Sequence, residues 1–134
     1  MELKKITELV YYIPNPANIG VVKDGEKSVI LIDTGLDDDT GKKVLRLLEE
    51  NGLFPKAIVN THSHADHCGG NRYIKERTGA TIYASEIESA IIQYPLLEPL
   101  YLFSGASPLR DLRNKFLMAQ SSSVDHVIKK MREN

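Results

Sequence analysis

Ala57-Ile58-Val59-Asn60-Thr61-His62-Ser63-His64-Ala65-Asp66-His67-Cys68-Gly69-Gly70 is the stretch that decides how this chain is read. It begins as a short, continuously apolar strand. It ends as a polar turn in which three of the chain's four histidines and an aspartate fall within six positions. Neutral imidazoles and carboxylates are the usual ligands of zinc and related divalent ions. Packed together without an ion, such groups would lose hydration and gain little in return, so the cluster predicts a metal site. His62 and His64 are two residues apart and aim the same way in extended chain, whereas Asp66 and His67 come after a turn. One pair can then hold one ion and the other pair a second, about 3.5 to 4 Å away as in two-metal hydrolytic sites. Gly69 and Gly70 let the backbone turn tightly against the site.

Upstream, Val29-Ile30-Leu31-Ile32 has the unbroken apolar character of a strand covered on both faces, and it stops at Asp33-Thr34-Gly35. Asp37, Asp38 and Asp39 then open a helix, where negative charge meets the positive end of the backbone dipole. Val44, Leu45, Leu47 and Leu48 form its apolar face, and Gly52 is the expected left-handed terminator. Strand, helix and strand in succession imply a right-handed crossover with parallel strands. Asp33 and the His62 segment therefore leave the carboxyl ends of neighbouring strands, the edge where open α/β sheets hold ligands.

Further out, residues 6–13, 19–22 and 28–32 read as an antiparallel meander, the last two joined by the turn Lys23-Asp24-Gly25-Glu26. Beyond the motif, a helix over 71–78, a strand over 80–84 and a helix capped by Ser85 and running to Tyr94 are expected. The proline- and glycine-punctuated stretch 95–108 reads as an irregular surface loop, in which Tyr94, Tyr101 and Phe103 could line an apolar entrance. Ser107-Pro108 has the pattern of a helix start. A final helix over 122–132 carries Val124, Val127, Ile128 and Met131 on one stripe, which puts His126 on its wet face.

Composition narrows the function classes. The 134 residues, 42% of them hydrophobic, suit one domain with a buried core. Seventeen Lys and Arg against 18 Asp and Glu give a net charge of -1 with no basic block, which argues against a nucleic-acid partner. No apolar run is long enough for a bilayer, and the N-terminus lacks the pattern of a secretory signal. Cys68 is the only cysteine, so no internal disulfide forms, and it reads as a small buried packing residue. These features together predict a cytoplasmic protein.

The string Thr61-His62-Ser63-His64-Ala65-Asp66-His67-Cys68-Gly69-Gly70, preceded by Leu31-Ile32-Asp33-Thr34-Gly35, closely resembles the N-terminal half of the metallo-β-lactamase superfamily. The resemblance spans roughly residues 5–115 and rests on the specific histidine-x-histidine-x-aspartate-histidine motif. It implies half of an αββα sandwich: a mixed α/β sheet with helices on one side. It also implies His62 and His64 as ligands of a first metal, Asp66 and His67 as ligands of a second, and Asp33 as a supporting carboxylate behind them. Zinc, one or two ions, is the implied cofactor, with manganese or iron as substitutes. The implied chemistry is hydrolysis of a small ester, thioester or lactone, with Asp66 orienting or deprotonating the nucleophile.

Two ligands per metal is one short of a usual catalytic zinc site. In the family the remaining ligands lie in the C-terminal half, so the chain reads as a single domain, 1–134, truncated relative to its family. A half-domain, a chain completed by a partner and a fragment all fit. His126 is the one further histidine, but its expected helix start does not resemble the family's glycine-flanked turn. A lone half leaves one sheet face uncovered, and the expectation is a homodimer or a complementing chain on that face. The competing expectation is a non-catalytic half-domain that binds metal or assembles without turnover.

Overall fold

The computed structural model describes residues 1–102, 110 and 113–129. Among the described residues seven strands form one sheet in which spatial order equals sequence order. Strands β1 (Lys4–Lys5), β2 (Val10–Ile13), β3 (Ile19–Lys23) and β4 (Ser28–Ile32) pair antiparallel. From β4 onward the sheet is parallel, through β5 (Phe54–Val59), β6 (Thr81–Ser85) and β7 (His126–Ile128). The switch follows from the connections: short turns return the chain antiparallel, while helix α1 (Asp38–Glu50) carries it across the sheet to re-enter in the same direction.

Helix α1 starts at Asp37, whose side chain accepts a bond from the Thr40 amide, and ends before Gly52, which adopts φ +67°. Its buried residues Val44, Leu47 and Leu48 recur at helical spacing. With Ile74 of α3 (Asn71–Thr78) they cover Leu31, Ile58 and Ile82, which sit side by side on β4, β5 and β6. Each such side chain removed from water stabilises the fold by about 1.5 to 3 kcal/mol. Cys68 of α2 (Ala65–Cys68) and Ile92 of α4 (Glu86–Gln93) pack on Ala84, which shares the face of Ile82. These helices therefore share one side of the sheet.

The other side is more open. Val10, Val22 and Ile30 form one cross-strand row and Tyr12, Ile32, Val59 and Tyr83 another, all partly exposed. Strand β4 is thus not covered on both faces as its apolar run predicted: Val29 and Leu31 are fully buried, Ile30 and Ile32 are not.

Three further expectations need correction. Residues 6–13 are not one strand, because Thr7 Oγ1 accepts from the amides of Leu9 and Val10 and folds the chain into a turn between β1 and β2. The stretch 95–108 is not wholly irregular, since α5 (Leu97–Leu102) lies within it. Pro99 falls in the first turn of α5, where the missing amide has no helical acceptor to lose. The final helix is not formed either: β7 stands where it was expected. The β-branched residues Val127 and Ile128 suit a strand as readily as a helical stripe, and the edge of β6 decides between them. Asp125 fixes the register, its carboxylate accepting from the Ile82 amide at 2.8 Å while its own amide donates to the Ile82 carbonyl. Phe103, the Ser107-Pro108 pattern, Met131 and Arg132 lie outside the described residues.

Candidate metal centre

Strands β4 and β5 end side by side, and their exits make the site. At the end of β4, Asp33 takes φ +65°, a left-handed conformation that aspartate tolerates better than most residues. The turn swings its carboxylate, 4% exposed, towards the segment leaving β5. There Oδ1 accepts from the Thr61 amide at 2.8 Å, and Oδ2 accepts from Thr61 Oγ1 at 2.6 Å and faces His67 Nδ1 at 2.7 Å. One carboxylate therefore pins both ends of the histidine turn.

The three imidazoles are brought together. The His62 ring centroid lies 4.7 Å from that of His64 and 3.9 Å from that of His67, so His62 contacts both other rings. Asp66 Oδ2 is 3.7 Å from His67 Nε2, while Thr61 Oγ1 is 3.0 Å from His62 Nδ1. With Nδ1 of His67 bonded to Asp33, Nε2 is the nitrogen left for a ligand, the arrangement by which a carboxylate fixes a histidine's tautomer. The donor set suits a divalent ion in kind, nitrogen and oxygen of intermediate softness, but not yet in number. Among the described residues no group of three or more His, Cys, Asp or Glu side chains is disposed to close around one ion.

The backbone under the turn is held by a buried polar network that the sequence reading missed. The His67 carbonyl accepts from the Thr34 amide at 2.8 Å and from Asn60 Nδ2 at 3.3 Å. Asn71, fully buried, accepts from Thr34 Oγ1 and Asn60 Nδ2, donates to Asn60 Oδ1 at 2.6 Å, and reaches Ser122 Oγ at 3.4 Å. Asn60 and Asn71 bracket the motif in sequence, and a polar residue closing an apolar strand was the signal available. Glu88 and Glu98 were also missed: Glu88 accepts from the Ser63 amide at 2.6 Å, and Glu98 Oε1 lies 3.6 Å from His64 Nε2.

Gly69 and Gly70 let the backbone close tightly under the site, as expected, and they do so by lacking a side chain. Their backbones are ordinary, φ -63° and -84°. A Cβ would stand 1.7 Å from the Leu36 carbonyl oxygen at Gly69 and 2.4 Å from that of Thr34 at Gly70. They permit close approach, not an unusual turn. Cys68, 1% exposed, packs as expected, and burial pushes its thiol up to about 12, with the charges of Asp33, Asp66 and Glu88 adding to the effect. His126 is exposed and stacks on the Tyr83 ring at 4.8 Å in β7, paired to β6 and outside the histidine cluster. Tyr94 is 68% exposed; Tyr101 borders the cleft beside His62 and His64.

Residues 12–126 match the sequence model of the metallo-beta-lactamase superfamily. A hydroxyacylglutathione hydrolase of Prochlorococcus marinus (strain MIT 9312) is 35% identical over 77 residues, 58% of this chain and 30% of that protein. A hydroxyacylglutathione hydrolase of Albidiferax ferrireducens is 32% identical over 108 residues, 78% of this chain and 38% of that protein. Among solved structures, a subclass B3 metallo-beta-lactamase of Bradyrhizobium japonicum superposes with a TM-score of 0.76 at 25% identity. The superposition covers 97% of this chain and 46% of that one. The chain thus spans less than half the length of these relatives. A strand-ordered half-sandwich, a histidine turn at its carboxyl rim and a family match over most of the sequence agree: the chain belongs to the metallo-beta-lactamase superfamily.

Proposed function

We propose that the chain is the metal-binding half of a hydrolase acting on a small ester, thioester or lactone, with His62, His64, Asp66 and His67 as ligands of one or two zinc ions. Manganese or iron are the substitutes. The observation that carries this reading is the grouping of three imidazoles at the sheet's carboxyl rim, with His67 Nδ1 held by Asp33 at 2.7 Å. The relatives named as hydroxyacylglutathione hydrolases support thioester chemistry. Bound at this rim, a divalent cation supplies Lewis acidity and an activated water. Asp33 keeps the His67 proton on Nδ1, so that the Nε2 lone pair faces outward. Asp66, with its side chain 52% exposed, would orient the attacking water and take its proton, a role supported by its position beside His67. Hydrolysis breaks the acyl C–O or C–S bond, adds OH to the acyl carbon and delivers a proton to the leaving alcohol or thiol.

The reading includes a cytoplasmic setting and no membrane or nucleic-acid partner; among the described residues no helix is long and apolar enough to cross a membrane. The half-open sheet face is where a second copy or a complementing chain would pack. A second reading, a metal-binding or assembly module without turnover, is favoured by the short donor count among the described residues. Elemental analysis of the wild type and of the His62→Ala, His64→Ala and His126→Ala variants, with ester and thioester assays before and after chelation, separates these cases. We expect the first two variants to lose metal and turnover while His126→Ala keeps both. Bound metal without metal-dependent turnover would favour the module, and equal metal retention in all three variants would reject the ligand assignment.

A further inference from the structure

The wall that α4 and α5 raise beside the histidines is more apolar than a solvated surface requires. A cleft of about 1140 Å³ opens next to His62 and His64 and is walled by Ile87, Ile91, Leu97, Leu100, Tyr101 and Leu102. Ile87 is 74% exposed and Tyr101 82%. Single exposed apolar residues are ordinary, but a contiguous set around one concavity is the signature of a binding surface. The carboxylates in that wall are Glu88 and Glu98, and no lysine or arginine borders it among the described residues. An adjoining cleft of about 630 Å³ shares His64, Glu98 and Leu102, adds Asp66, and likewise has no lysine or arginine among its described lining.

We propose, building on the hydrolase reading above, that this cleft holds the uncharged apolar acyl portion of the substrate. The chain then acts on neutral esters, thioesters or lactones with an alkyl or aryl acyl group, and discriminates against anionic thioesters such as glutathione conjugates. A glutathione moiety brings two carboxylates against one ammonium, and the carboxylates would lose water beside Glu88 and Glu98 with no lysine or arginine in the described lining to receive them. An alkyl chain meets only hydrocarbon, and each further methylene it buries should tighten binding about fourfold.

Two thioethers that cannot be hydrolysed test this by isothermal titration on the whole chain: S-hexylglutathione, which is anionic, and S-hexyl-N-acetylcysteamine, which is neutral. The neutral ligand is expected to bind about tenfold more tightly or better. Ile87 occupies an exposed helical position, so substitution there should leave the circular dichroism spectrum unchanged. Ile87→Glu should weaken the neutral ligand about tenfold, and Ile87→Lys should strengthen the anionic one by a similar factor. Equal or tighter binding of S-hexylglutathione to the unmodified chain, no binding of the neutral ligand, or indifference to both Ile87 variants would each overturn the proposal. Binding is read without turnover, so loss of the hydrolase reading with retention of the neutral ligand would leave the acyl cleft standing.

Discussion

Replacing Asp33 by asparagine isolates what its charge does for the histidine turn. Asparagine has the same shape and tolerates φ +65° as readily, so neither packing nor backbone is disturbed. One acceptor oxygen becomes a donor, and two placements of the amide are available. With the NH2 at the Oδ1 position it faces the Thr61 amide, donor against donor. At the Oδ2 position it meets Thr61 Oγ1 and His67 Nδ1, both of which can accept. The second arrangement wins, and it moves the imidazole proton from Nδ1 to Nε2, blocking the nitrogen that would bind metal. Trading charge-assisted bonds for neutral ones costs roughly 1 to 3 kcal/mol of stability. That lowers the melting temperature by roughly 3 to 12 °C in a chain of this size. Zinc affinity should fall about 10- to 100-fold, the range for groups that orient metal-bound histidines. Competitive titration against a chelator, run beside thermal unfolding, measures both, and the nitrogen shifts of His67 report the tautomer directly. Zinc affinity within about twofold of wild type, with the melting temperature lowered, would refute the argument and leave Asp33 a purely structural residue.

Asn71→Leu removes the hub of the buried network, takes the donor from Asn60 Oδ1 and leaves Asn60 Nδ2 and Thr34 Oγ1 only their long bonds to the His67 carbonyl, so a loss of about 2 to 4 kcal/mol is expected in urea denaturation. A loss below about 1 kcal/mol would mean that the network is redundant. Asp37→Ala removes the cap of α1 and should cost about 1 kcal/mol at neutral pH. The bond from the Thr40 amide, helped by Thr40 Oγ1 and Lys115, holds the Asp37 carboxyl below its ordinary value of 3.8. Because the folded-state value is the lower one, the capping contribution is complete above that ordinary value and is lost as pH falls through the folded one. Wild type and variant should therefore converge in stability only as pH falls from the ordinary value of 3.8 through the lower folded-state one, and a gap that persists or widens below both would contradict the assignment.

The motif region was legible because its signals are local. The apolar stretches 29–32 and 57–59 are strands, the Asp37–Asp39 run opens a helix, and Asp33 reaches the histidine turn as the parallel crossover implied. The grouping of His62, His64 and His67 at one rim followed from their spacing, with the ring of His62 3.9 Å from that of His67 and 4.7 Å from that of His64. What could not be read depended on partners distant in sequence. Val124, Val127 and Ile128 trace a helical stripe, and only the edge of β6, some forty positions earlier, makes that segment a strand. The Asn60 and Asn71 side chains gave no periodic signal because their partners are each other, Thr34 and the His67 carbonyl. Ile30 and Ile32 look fully buried in sequence because an apolar residue records a preference for cover without naming what supplies it.

The agreement between strand order in space and strand order along the chain has a consequence for synthesis. Each strand, as it emerges from the ribosome, finds its docking edge already in place, and none must be threaded between two that are zipped together. The sheet can grow by accretion from the amino end. The histidine turn is anchored early, by Asp33 and Thr34 behind it, and clamped once the next helix delivers Asn71. Asp33, Thr34, Asn60 and Asn71, which hold the histidine rim, are therefore all synthesised before the last two strands of the sheet.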